Sequence, residues 1–380
     1  MSIDRRGALN MDSNDKLYRD LQIYLDKQTI GFPETQSGSD IALLKQLFTP
    51  EQAEVVMLLT YKGEPLDKIR EEAEKTGKSA EETERLLNET AARGVIGFRT
   101  KDGVKHYRTI PLIVGMLEGA VITTPPEKKP PLVAAAGQFF QDGLFIRDFV
   151  STKIPQMRTI PIQKSIEPKH HIGSYDEIRK IIERNSGSIV ILECVCRAGA
   201  EKQGQPCKQT SRKETCMALG DIARSLAESG KLGRSISKEE ALDILQKNQE
   251  EGLVLQPSNT QEPEAICSCC GCCCGLLKIH KTIPNPVSHW ATNFFAEVNE
   301  ESCTACGECE ERCQVDAMKL DDEKMTAAVD LTRCLGCGLC VDVCPEGAIE
   351  LRHKTAETVP PPTSEDMMEV IMTHRLQQSS

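Results

Sequence analysis

The chain has 380 residues, enough for two or three domains with cores of their own, and a formal net charge of −11. That acidity argues against a nucleic-acid partner. Its eighteen cysteines fall in tight Cys-x-x-Cys steps and adjacent pairs, which argues against a disulfide scaffold and for metal binding in a reducing, cytoplasmic compartment. Neither a leader nor a membrane span is expected. Arg5-Arg6 is followed by Asn10, Asp12, Asn14 and Asp15 where an apolar stretch should begin. The most apolar run, Leu112 to Ile122, is too short to cross a bilayer and is broken by Glu118.

In chain order, residues 1–45 read as a helical lead and a polar loop. Periodicity sets in after Pro50: Ala53, Val56, Met57 and Thr60 share one helical face, and Leu66, Ile69 and Ala73 share the next. Ser79 and Glu82 form a capping box for a third helix that buries Leu86, Leu87 and Ala91 and stops at Gly94. Val95–Thr100 and Val104–Ile110 flank Asp102-Gly103, a hairpin turn. Three helices and a hairpin over 46–124 look like a winged helix. The third helix carries Glu81, Glu82, Glu84 and Glu89 where a DNA reader needs positive charge, so a protein-facing or structural use is expected. Pro125-Pro126 to Pro130-Pro131 reads as a stiff linker over 125–131.

Residues 132–290 read as a cysteine-rich α/β domain. Ser174 and Glu177 suggest a capping box for a helix to about Asn185, and Ser188–Glu193 reads as a strand. Cys194, Cys196, Cys207 and Cys216 follow, with Thr215 as a cap that would put Cys216 at a helix N-terminus and Arg197 adding positive charge. Another helix starts at Ser237 and Glu240 and ends at Gly252. A short strand, Leu253–Gln256, precedes a second nest: Cys267, Cys269, Cys270, Cys272, Cys273 and Cys274, interleaved with Gly271 and followed by Gly275. Ten cysteines exceed one four-thiolate site. The leading expectation is one or two further iron–sulfur clusters drawing on both nests, with structural zinc as the fallback and redox or unligated thiols behind it. His170-His171 reads as a loop pair, and His289 and Trp290 as packing residues at the domain junction. Neither a phosphate-binding glycine loop nor a Rossmann fingerprint nor a nucleophile triad is evident, so no catalytic residue is assigned.

Residues 291–354 carry one cysteine ladder twice: Cys303, Cys306, Cys309, Cys313 and Cys334, Cys337, Cys340, Cys344. This is the C-x2-C-x2-C-x3-C run of [4Fe-4S] proteins, whereas a zinc site has no use for the third closely spaced cysteine. At the same constant offset Ala296, Val298 and Asn299 match Ala327, Val329 and Asp330. Gly307, Ala317 and Leu320 likewise match Gly338, Ala348 and Leu351, which marks an internal repeat. The segment resembles the bacterial two-cluster ferredoxins. That resemblance implies two [4Fe-4S] clusters with crossed ligation: Cys303, Cys306 and Cys309 with Cys344, and Cys334, Cys337 and Cys340 with Cys313. The family's proline after the fourth cysteine is Pro345 in the second copy but Gln314 in the first. A polar tail, 355–380, closes the chain.

The expected fold class is thus multidomain α+β: winged-helix-like, cysteine-rich α/β, then ferredoxin-like. The cysteine-rich domains of heterodisulfide reductases share the Cys-Cys-Gly steps but not the spacing. As a whole the chain is similar to multi-cluster ferredoxin-type subunits of anaerobic oxidoreductase complexes. That implies an electron carrier, or an electron-input subunit rather than a stand-alone enzyme. Its partners would be redox proteins and not specific nucleic acid, met through the acidic face around Glu308, Glu310, Glu311, Asp321 and Asp322. Two clusters would bring the net charge to about −15. Rival readings are a cluster-sensing regulator acting through the winged helix and a reductase with its substrate site at the middle cysteines.

Overall fold

The computed structural model describes residues 13–101, 103–166, 173–185, 187–230 and 233–378. Arg5-Arg6, Asp102 and His170-His171 lie outside them. The fold is mixed α and β with small sheets, in two compact units divided after Thr152; the end of the last helix, from Ile371, belongs with the first.

The first unit begins with helices α1 (Ser13–Asp26), α2 (Ser39–Leu47) and α3 (Pro50–Val56). Thr49 and Gln52 cap α3 reciprocally, and Pro50 stands in its first turn, where a missing N–H costs nothing. Strand β1 (Glu64–Pro65), α4 (Leu66–Glu74) and α5 (Ala80–Ala92) follow, then β2 (Gly97–Lys101) and β3 (Val104–Arg108), in an antiparallel sheet of order β1-β3-β2. The Ser79 hydroxyl accepts the Glu82 N–H at the start of α5. The hairpin is drawn toward α5, where Asn88 Oδ1 accepts from Lys105 Nζ at 3.2 Å and from the Tyr107 hydroxyl at 2.8 Å. Helices α6 (Leu117–Thr123), α7 (Lys129–Gln141) and α8 (Leu144–Val150) complete the unit. The proline-rich stretch is helical rather than extended. A 3-10 turn at Pro126–Lys128 runs into α7, whose first turn tolerates Pro130 and Pro131. Phe139 of α7 stacks on Phe32 at 4.7 Å.

The second unit opens with α9 (Ile178–Arg184). Ser174 does not cap it; that hydroxyl accepts from Arg184 Nη1 at 3.3 Å, and Glu177 holds the cap position. Next come β4 (Ile189–Glu193), α10 (Val195–Lys202), β5 (Glu214–Leu219), α11 (Gly220–Ser229), β6 (Arg234–Ser235), α12 (Lys238–Glu250), β7 (Val254–Pro257), β8 (Ala265–Cys269) and α13 (Gly275–Thr282). The five strands form one sheet, β6-β4-β5-β8-β7, antiparallel throughout. Strand alternation splits its residues. Ile189, Ile191, Met217, Leu219 and Ile266 pack on α9 and α12, while Val190 and Ala218 pack on α11. Cys216 is therefore not at a helix N-terminus. Cys216 pairs with Leu192 as part of β5, a strand held between β4 and β8, and the helix waits for Gly220, whose φ of +59 ends the strand. Pairing on both sides outweighs one local cap.

The rest of the unit is β9 (Phe294–Val298), α14 (Glu308–Arg312), β10 (Met318–Asp321), β11 (Thr326–Val329), α15 (Leu339–Val343), β12 (Ile349–His353) and the start of α16 (Ser364–Gln378). Strand β9 pairs with β12 and β10 with β11, so the first strand of each copy pairs with the last of the other. This segment packs on the five-stranded layer. Arg333 Nη2 donates to Lys281 O at the end of α13 (2.8 Å), and Arg312 Nη2 to Glu250 O at the end of α12 (2.6 Å). Trp290 sits at that junction, its indole N–H 3.4 Å from Gln256 Oε1 and its ring edge-on to His280 at 5.0 Å.

His280 is fully buried, and burial, with the Arg333 charge next, pushes its pKa down to about 4. An unfolded imidazole titrates near 6.5. Between those values the unfolded chain binds the proton and the folded one does not, so stability falls as pH drops through that window, by ~3 kcal/mol in all. His280→Gln should flatten this slope in anaerobic thermal melts; a slope identical to that of the unsubstituted protein would contradict it.

Candidate metal centres

The two ladders lie on matching loops. Gly307 (φ +86) and Gly338 (φ +76) each cap a five-residue helix that follows two of the cysteines. Cys303, Cys306 and Cys309 line one pocket, and the fourth cysteine in its wall is Cys344 of the other copy. Cys313 in turn lies within electrostatic reach of Cys334, Cys337 and Cys340, as Cys309 does of Cys340. Backbone N–H groups point at the sulfurs in a repeated pattern. Ala296 donates to Cys334 Sγ (3.4 Å) and Ala327 to Cys303 Sγ (3.4 Å). Ala317 donates to Cys313 Sγ and Ala348 to Cys344 Sγ, both at 3.2 Å. These donors sit at repeat-matched positions and favour the thiolate over the thiol.

The two sets differ in environment. Cys306 is exposed, whereas Cys334 and Cys340 are buried. The Thr326 hydroxyl, with the Ala305 and Ala327 amides, holds the Cys303 thiol below its ordinary range. Burial pushes Cys337 up to about 12 and also raises Cys340 well above its ordinary value. Thiolates in that inner set therefore need a cation in place of their protons. Four convergent sulfurs with inward N–H donors fit an iron–sulfur cubane, which is itself anionic.

In the middle region the structure sorts the cysteines across the two sequence nests. Cys207 leaves Cys194, Cys196 and Cys216 and joins Cys270, Cys272 and Cys273, with all four sulfurs within 4.8 Å of one another. Cys207 Sγ is 3.5 Å from Cys270 Sγ and 3.8 Å from Cys272 Sγ. Burial raises Cys207, but the amides of Thr210 and Gln209 outweigh it and bring the thiol down to about 7; burial lifts Cys270 to about 11. Cys194, Cys196 and Cys216 lie instead with Cys267, Cys269 and Cys274. Helix N-termini fall at Cys194, the cap of α10, and Cys274, the cap of α13.

Gln314, where the repeat breaks, joins the ladders to the middle region. It is buried, its Oε1 accepts the Gly271 N–H at 2.9 Å, and its Nε2 donates to Arg312 O at 3.1 Å. A Cβ on Gly271 would stand 2.1 Å from Gln314 O, so only glycine permits this approach. The neighbour of Cys313 thus touches the residue between Cys270 and Cys272. The missing proline was the trace of this contact in the sequence, but only its partner shows what the glutamine does. Arg197 is the other central residue. It is 3% exposed, donates to Thr215 Oγ1 and to Ser268 O, and interacts electrostatically with cysteines of both middle sets.

A family model for a 4Fe-4S dicluster domain matches residues 296–351. Comparison with curated proteins and comparison with solved structures each return no match. No helix among the described residues is long and apolar enough to cross a membrane.

Proposed function

We propose that this chain is an iron–sulfur electron-transfer protein. In this reading the ferredoxin segment holds two [4Fe-4S] clusters, crossed between copies, and the Cys207, Cys270, Cys272, Cys273 site holds a further one. When bound, each cluster stores and releases one electron. The observation that carries the reading is the graded placement of the thiols. Cys306 is at the surface, Cys334 and Cys340 of the other set are buried, and Cys313 is joined through Gln314 and Gly271 to Cys270 and Cys272. A ladder open at one end and tied to an inner thiol site at the other suits electron input better than storage. The chain's own residues hold the site in shape: amides aimed at sulfur, water excluded from the inner set, and glycines where the backbone must come close.

The electron donor or acceptor would be a basic redox protein. Glu308 and Glu311 are exposed beside Cys306 and Cys309. Glu310 is otherwise engaged: it accepts the Leu320 N–H at 2.9 Å and pairs with Lys319 at 2.9 Å, which hold its carboxyl below the usual range. The docking charge is therefore assigned to Glu308 and Glu311. With cytochrome c as a basic one-electron acceptor, transfer from the reduced protein should slow with salt, since screening sets in over a Debye length of about 8 Å. It should slow about tenfold in the Glu308→Lys/Glu311→Lys variant, with unchanged cluster spectra. Rates indifferent to both would sink the docking surface.

The first unit is read as a winged-helix-like assembly module. Its element order, helix–strand–helix–helix–strand–strand, supports that reading. Cations on and beside α5 are engaged with acidic residues, Arg70 with Glu84 and Arg85 with Glu89 (2.8 Å), which leaves little positive charge on that helix for phosphates.

A further inference from the structure

Six of the middle cysteines close into a ring. Cys194 makes side-chain contacts with Cys196 and Cys216, Cys216 with Cys267, and Cys267 with Cys269. Cys269 then contacts Cys274, and Cys274 contacts Cys196. The sheet makes this possible. Cys267 and Cys269 are alternate residues of β8 and share a face. Met217 pairs with Ile266, which sets Cys216 beside Cys267, and Leu192, two residues before Cys194, pairs with Cys216. The turn after β8 brings Cys274 back onto the same group.

A cluster of thiols can be mere packing, since a free cysteine behaves as a small apolar side chain. Two further observations weigh against that here. Arg197 is buried against the ring, and among the described residues no carboxylate lies within ion-pair distance of it; Glu251 is within electrostatic reach but is paired directly with Arg212. A buried guanidinium without an anion is costly, and neutral thiols offer none. The N-termini of α10 and α13, both eight-residue helices, also end on ring members, Cys194 and Cys274. Their partial positive charges favour an anion at the same place.

We propose that Cys194, Cys196, Cys216, Cys267, Cys269 and Cys274 form a metal centre separate from the Cys207 site, binding a polynuclear iron–sulfide cluster through more than four thiolates. Arg197 lies between the two sites as their common counter-cation. Cys196 also packs against the Cys207 group, so the two centres are neighbours. The proposal extends the electron-transfer reading and can fail without it.

The test is anomalous diffraction at the iron and zinc edges from crystals of the full chain, purified and grown without oxygen. Iron density inside the ring, resolved from that at Cys207, is expected. Zinc density there, or none, overturns the proposal. In solution, Cys196→Ser/Cys267→Ser should lower iron and acid-labile sulfide while leaving the paramagnetic signals of the reduced ferredoxin segment unchanged; unaltered iron and sulfide would also overturn it. If the ferredoxin signals are missing from the unsubstituted protein, the electron-transfer reading fails as well. If they are present and the ring holds no metal, only this inference fails.

Discussion

Cys313→Ala should remove about four irons from the anaerobically reconstituted protein and abolish the signal of the Cys334 side, leaving that of the Cys303 side. The expectation rests on placement, because Cys313 belongs to the first ladder in sequence but lies within electrostatic reach of Cys334, Cys337 and Cys340. Cys344→Ala should do the reverse, since Cys344 shares a pocket with Cys303, Cys306 and Cys309. The Cys313 loss should be the less forgiving. Cys334 and Cys340 are buried, so solvent cannot readily supply a replacement ligand there, whereas the exposed Cys306 side can take one from water. Iron analysis and low-temperature paramagnetic resonance of both variants decide the matter. Loss of the Cys303-side signal in Cys313→Ala would refute crossed ligation.

Asp176→Ala should destabilise the second unit by about 3–5 kcal/mol, the usual result of stranding one member of a buried ion pair. Arg158 Nη2 lies 2.6 Å from Asp176 Oδ1, and both side chains are almost wholly buried. Asn293 Nδ2 donates to the other carboxylate oxygen at 2.8 Å, and the Arg158 guanidinium lies over the Tyr175 ring at 5.0 Å. Burial raises the Asp176 carboxyl and lowers the Arg158 guanidinium, each opposed by the charge of the other. Removing the carboxylate therefore leaves a cation with no route to water. At ~2–4 °C per kcal/mol the melting midpoint should fall by roughly 10 °C or more. Arg158→Met combined with Asp176→Leu should recover most of the loss, because two apolar residues replace the pair without leaving a charge. A double variant no better than Asp176→Ala alone would show that the pair acts through shape and not charge.

The repeated ladder was legible in the sequence because a cubane needs its ligands close along the chain. Three cysteines at fixed short steps must sit on one loop, and this local requirement writes itself into spacing. The matching alanines around Ala296 and Ala327 were legible as a repeat, though their task as N–H donors to sulfur was not. The helices and hairpin of the first unit were legible for the same local reason, through capping residues such as Ser79 and a turn signal. Local reasoning erred at Cys216, where a cap-like threonine suggested a helix and pairing with β4 and β8 made a strand. The ten middle cysteines needed tertiary structure altogether. Their grouping depends on which strands neighbour each other and on which face alternate residues emerge, and neither is a property of a short stretch of chain. The loop between α10 and β5 carries Cys207 to the site of Cys270, Cys272 and Cys273, while sheet pairing helps gather Cys194, Cys196 and Cys216 with Cys267, Cys269 and Cys274. By itself the sequence determined that this protein has cysteine ladders of the 4Fe-4S kind and where they lie. Only the folded sheet decided which of the remaining thiols meet, because contacts between distant segments are set by strand order and register and not by spacing.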